Sequence, residues 1–112
     1  MVTFSDFEKI DIRLGRVVEA VSFPEARNPS FKLKIDFGPE IGVKTSSVQA
    51  TGAHTKEELA GMLVVCVVNF PAKMVGGFKS EVLTLGFPNT DGIGWVLITP
   101  AKKSVKVGGR LG

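Results

Sequence analysis

Residues 62–70 read MLVVCVVNF, and they are followed by PAKMVGGF over 71–78 and KSEVLTLGF over 79–87. The run from Met62 to Phe70 is almost wholly apolar and rich in valine, whose branched Cβ disfavours helix and favours strand. A strand this apolar is covered on both faces, so it belongs at the centre of a core. Asn69 is its first polar side chain, set beside a Pro71 that has no N–H for a sheet ladder. Gly76-Gly77 then permits a sharp turn, and Ser80 to Leu85 resumes strand-like alternation. The stretch is a core strand delivering a short polar and glycine-containing loop to the surface, where function tends to reside.

Outward from this stretch the other elements are short. Ser5-Asp6-Phe7-Glu8 matches a capping box with Ser5 as N-cap, so a helix of little more than one turn is expected to end before Asp11. Phe4, Phe7 and Ile10 fall on one side of it, and so short a helix must dock, on its own barrel or on a second subunit. Ile12–Phe23 reads as a first strand interrupted at Gly15-Arg16, where a bulge or bend is expected. Phe31, Leu33, Ile35 and Phe37 alternate with Lys32, Lys34 and Asp36 in the clearest half-buried strand of the chain. A third strand runs from Ile41 to about Val48, and Thr55-Lys-Glu-Glu58 is a second capping-box match that announces a small helix. After a turn at 88–92, Ile93–Ile98 reads as a further strand carrying the single tryptophan, Trp95. The tail from Pro100 is basic and glycine-rich without a strong pattern. This order predicts an all-β fold, a five-stranded Greek-key OB barrel. It adds a short N-terminal helix, a small helix between strands three and four, and an extra C-terminal strand.

Composition bounds the rest. The 112 residues suit one domain spanning 1–112, and 44% hydrophobic content with mean hydropathy +0.22 excludes a disordered chain. No apolar run reaches the ~18 residues of a membrane helix. The N-terminus lacks the apolar segment of a signal peptide, and Cys66 is the only cysteine, so a reducing cytoplasmic setting is expected. Net charge is +3, but residues 1–70 hold 8 basic and 9 acidic groups while 71–112 hold 6 and 2. That asymmetry suits an anionic partner or a solubilising rim.

No enzyme signature emerges, and no metal or cofactor is expected. His54, the only histidine, has no second ligand or orienting partner at useful spacing and reads better as a solvated loop histidine than as a partner of Ser46 or Ser47. Cys66 sits in the valine-rich strand, where a buried thiol is inert. What remains are binding features: Lys32 and Lys34 on one strand face, Lys73 and Lys79 flanking the glycine turn, with Asn69 and Ser80 nearby. They are phosphate contacts or a solvated barrel face. Phe23, Phe70 and Phe78 border loops and are candidates for exposure, whereas Phe31 and Phe37 point inward.

The phrases FEKIDIRLG, FPEAR, KIDFG, VVNFPAK and GFKSEVLTLGF together resemble the tRNA-binding domain family, and within it the CsaA-like branch of export-related chaperones. The resemblance covers nearly the whole chain. It implies an OB-fold homodimer that binds tRNA or unfolded preprotein segments. In tRNA-binding members basic residues follow the asparagine; here Asn69, Gly77 and Ser80 match, but the basic positions read Pro71, Lys73, Met74 and Gly76. The loss of phosphate contacts and the apolar loop imply peptide capture by Phe70, Met74, Val75 and Phe78. The alternative is tRNA binding by Lys32, Lys34, Asn69, Lys73, Lys79 and Ser80. Phe4, Phe7, Ile10, Ile93, Trp95 and Leu97 are the expected dimer interface. With Met1 six residues ahead of the matching segment, a free-standing protein rather than a synthetase appendage is expected.

Overall fold

A computed structural model describes residues 1–112. Its elements in chain order are α1 (Phe4–Glu8), β1 (Ile12–Ser22), β2 (Phe31–Asp36), β3 (Val43–Val48), α2 (Lys56–Leu59), β4 (Leu63–Val67), β5 (Lys73–Val75), β6 (Phe78–Ser80), β7 (Leu83–Thr84), β8 (Gly86–Pro88) and β9 (Trp95–Leu97). The main sheet has the order β3-β2-β1-β4-β7, all neighbours antiparallel. Placing β4 beside β1 after the meander β1-β2-β3 is a Greek key. The segment 81–82 returns to β3: the Glu81 and Val82 N–H groups both donate to the Thr45 carbonyl, at 2.9 and 3.2 Å. This nearly closes a five-stranded OB-type barrel. No helix is long and apolar enough to cross a membrane.

The central strand is β4, as its valine run requires. All five of its residues are buried, and its pleat feeds two separate cores. Val64 and Cys66 point into the barrel interior with Leu33, Ile35 and Phe37. Leu63, Val65 and Val67 face the other way and pack with Ile12 and Leu14. Phe7 of α1 and Val107 of the tail cover this second core.

Four local expectations need correction. The capping box lies two residues earlier than Ser5/Glu8: Thr3 Oγ1 accepts from Asp6 N–H at 3.2 Å and Asp6 Oδ2 accepts from Thr3 N–H at 3.0 Å. The helix therefore starts at Phe4, and only Phe7 docks, while Phe4 is 72% exposed. The bulge of β1 falls between Val17 and Glu19 rather than at Gly15. Gly15 serves a different need, close approach: a Cβ there would lie 2.7 Å from Phe37 Cε1, against a ring that is fully buried. The second capping box is half made: Thr55 Oγ1 accepts from Glu58 N–H, but the Glu58 carboxylate turns to His54 instead.

Finally, the tail is ordered against the barrel. Leu14 N–H donates to Gly109 O at 2.9 Å, Gly108 N–H to Leu14 O at 2.8 Å, and Leu111 N–H to Ile12 O at 2.8 Å. It thus runs as an extra edge along the start of β1. Arg110 Nη2 donates to Glu8 O at 2.6 Å, so part of the basic tail is spent on holding α1. Lys102, Lys103 and Lys106 remain exposed.

Candidate functional site

Gly76 and Gly77, at φ 53° and 80°, close a tight hairpin between β5 and β6 in which Lys73 faces Ser80, Met74 faces Lys79 and Val75 faces Phe78. Both φ values are in the left-handed region that a two-residue hairpin loop demands. The hairpin stands beside an open groove of about 620 Å³ that runs between the end of β3 and the segment 80–86. β9 forms another part of the wall through Trp95 and Leu97. Four large apolar side chains on the groove are unusually open: Phe70 at 46%, Met74 at 63%, Leu83 at 47% and Trp95 at 43%. Lys73 and Arg27 supply positive charge at its lining.

The sequence-predicted residues divide between this groove and elsewhere. Phe70, Met74, Val75, Lys73 and Ser80 line it together. Phe78 does not: its ring meets the Phe23 ring edge-on at a centroid distance of 5.5 Å, outside the groove lining. Phe23, expected near the surface, is 2% exposed because Phe78 covers it. Lys32 Nζ sits 4.6 Å from the Phe23 ring centroid and 5.4 Å from that of Phe78, an arrangement in which the ring quadrupoles hold the ammonium. Lys34 pairs with Glu19 at 3.4 Å across β1 and β2. Neither lysine, nor Lys79, lines the groove.

Two neutral hydrogen-bonders have internal work. Asn69 Oδ1 accepts from Asp11 N–H at 2.9 Å and its Nδ2 donates to Lys9 O at 2.8 Å, which clamps the exit of α1 to the end of β4. Ser80 Oγ accepts from Ser47 N–H at 2.9 Å and so ties β6 to β3. Of the expected interface residues, Leu97 is 5% exposed and belongs to the barrel core. Trp95 turns to the groove, while Phe4, Ile10 and Ile93 are open to solvent.

Glu81, also on the groove, was not singled out from the sequence. Burial opposes its ionisation, but Thr45 N–H at 3.1 Å and Thr45 Oγ1 at 3.0 Å, with Lys44 and Lys79 nearby, outweigh that and hold its carboxyl below the usual range. A depressed folded-state value means that ionised Glu81 adds stability above its unfolded value of 4.5, and that this is lost as pH falls through the folded value. Urea midpoints measured downward from neutral pH should therefore fall more steeply for the wild type than for Glu81→Gln below pH 4.5. Parallel curves would remove the Thr45–Glu81 contact as a source of acid sensitivity.

The residues weighed for catalysis have structural roles. Burial pushes the Cys66 thiol up to about 12, and its sulfur lies 3.4 Å from Thr84 Oγ1. Ser46 Oγ is buried against Val82 O at 3.1 Å and Thr84 Oγ1 at 2.8 Å. His54 is not a solvated loop residue: its side chain is 9% exposed, its Nδ1 meets Glu58 Oε1, and its Nε2 accepts from Leu97 N–H at 3.1 Å. No three His, Cys, Asp or Glu side chains gather in a metal-binding group.

A family model described as "Putative tRNA binding domain" matches residues 12–110. The chain belongs to that family. Solved structures similar to this tRNA-binding-type domain include the CsaA chaperone protein of Picrophilus torridus, 45% identical over 100% of both chains with a TM-score of 0.91. Another is the chaperone CsaA of Bacillus anthracis str. Ames, 46% identical over 100% of this chain and 99% of that one, at 0.90. Among curated relatives, the methionine–tRNA ligase of Parabacteroides distasonis is 38% identical over 96% of this chain, which spans 15% of the ligase's length. The family is thus one of tRNA-binding and chaperone domains rather than of catalytic ones.

Proposed function

We propose that this domain is a non-catalytic, export-related chaperone of the cytoplasm that captures extended apolar segments of unfolded preproteins in the groove bounded by β3, the β5–β6 hairpin and β9. The observation that carries the reading is the clustering of Phe70, Met74 and Trp95, each 43% exposed or more, around one open groove of about 620 Å³. An unbranched methionine adapts to varied side chains, and an aromatic wall offers large contact area at small entropic cost. Identity of 45–46% to two CsaA chaperones over the full chain supports it. A homodimer accompanies this reading: Phe4, Ile10 and Ile93 offer exposed apolar surface for it, and light scattering tests it directly.

Binding of tRNA is the second reading, supported by the family match and by the methionine–tRNA ligases. The lysines weigh against tight binding, because Lys34 pairs with Glu19, Lys32 is held over two rings, and only Lys73 of the four lines the groove. Titrations of one sample with bulk tRNA and with an extended apolar peptide separate the two. Peptide affinity is expected to persist between about 50 and 200 mM salt, where affinity resting on phosphate contacts collapses. Tight, salt-sensitive tRNA binding with no peptide binding would reverse the order of the two readings.

A further inference from the structure

The wall of the groove formed by β9 has few ties to the barrel. β9 pairs only with β8, in a two-stranded sheet outside the main one. Along a strand, N–H groups two residues apart point the same way, so those of Trp95 and Leu97 both seek acceptors on one flank. Trp95 N–H finds Gln49 O at 2.9 Å. The acceptor for Leu97 should come from the next stretch of the same segment, but the chain has already turned there: Ala53 and His54 N–H both donate back to Ala50 O. The imidazole of His54 fills the gap, with Nε2 3.1 Å from Leu97 N. An accepting Nε2 carries no hydrogen, so the ring hydrogen sits on Nδ1, where the Glu58 carboxylate receives it. Beyond the β8–β9 ladder, a further backbone tie at this end of the strand is Ile98 N–H to Leu85 O, at 3.1 Å.

We infer that His54 is a positioning residue that sets the groove wall: by replacing a missing backbone acceptor it fixes β9, and with it Trp95, against the site. The effect on ligand rests on the peptide-capture reading above; the effect on Trp95 does not. Because Trp95 is the only tryptophan, its fluorescence reports the wall without a label.

The experiment compares the full chain with His54→Gln, which keeps an acceptor near the Nε2 position, and His54→Leu, which keeps bulk without one. Three readouts are taken: amide exchange at Leu97, acrylamide quenching of Trp95, and affinity for a dansylated peptide of alternating leucine and serine. A buried donor left unpaired costs enough to weaken peptide binding about tenfold in His54→Leu, with faster Leu97 exchange and stronger quenching, while His54→Gln restores all three. Equal quenching in all three proteins, or Leu97 exchanging in the wild type as fast as an exposed loop amide, would overturn the inference. The wild-type exchange rate decides the hydrogen bond even if His54→Leu does not fold. Should the wild type bind no peptide, the chaperone reading falls, and exchange and quenching still decide the role of His54.

Discussion

Gly15→Ala is expected to destabilise the domain by about 3 kcal/mol, the upper part of the range for forcing an extra carbon into a packed core. The added Cβ would lie 2.7 Å from Phe37 Cε1 and 3.0 Å from Phe37 Cδ1, with Ile35 Cγ2 also in its way. Both neighbours are at most 1% exposed and sit near the end of β2 or just beyond it, buried in the core, so neither can swing aside into solvent. The backbone conformation is not the obstacle, since Gly15 lies in the pleat of β1 and has no positive φ. For a domain of this size the loss corresponds to a drop in Tm of roughly 10–20 °C. Trimming the ring should relieve it: Gly15→Ala combined with Phe37→Leu is expected to cost less than the sum of the single changes, the sign of direct contact in a double-mutant cycle. Strict additivity would mean that the two positions do not press on one another.

Trp95→Ala is expected to weaken capture of an extended apolar peptide by about 30-fold, the scale of a central aromatic anchor, with little change in Tm. The indole is 43% exposed and lines the groove, so its loss removes ligand contact rather than core. Phe78→Ala should behave in the opposite way. That ring packs edge-on against buried Phe23 and lies outside the groove, so its removal costs stability, on the order of 2 kcal/mol, and leaves peptide affinity near the wild-type value. The pair of variants separates groove from scaffold on one assay plate. Unchanged peptide affinity in Trp95→Ala would exclude this groove as the capture site.

The legibility of each residue depended on how local its environment is. Burial of β4 on both faces was readable because five consecutive apolar side chains leave no polar face to present to water. The alternation in β2 was readable for the complementary reason, as one face meets the core and the other solvent. Phe78 could not be distinguished from Phe70 in this way: both border a glycine-containing loop, and only the course of the chain through Phe23 decides which ring is covered. Likewise Gly15 looked like a bulge because glycine in a strand has two common causes, and the sequence does not say that β2 lays Phe37 across it. His54 was the largest miss. Its partners are Glu58, four residues on and within reach of a helical turn, and the Leu97 amide, 43 residues away in the chain and invisible to any local pattern.

The family resemblance singled out Met74 and Val75; from residues alone came the all-β character, the OB order of strands and helices, the central strand and the hairpin at Gly76-Gly77. These follow from period, branching and turn chemistry, which act over a few residues and are written locally. Tertiary structure alone decided that of the two β9 side chains on the groove Trp95 stays open while Leu97 is buried into the core, that Lys32 is held over two rings, and that the tail returns to edge β1. Each of these depends on contacts between segments far apart in the chain, where the meeting is set by the closure of the barrel and not by either segment on its own.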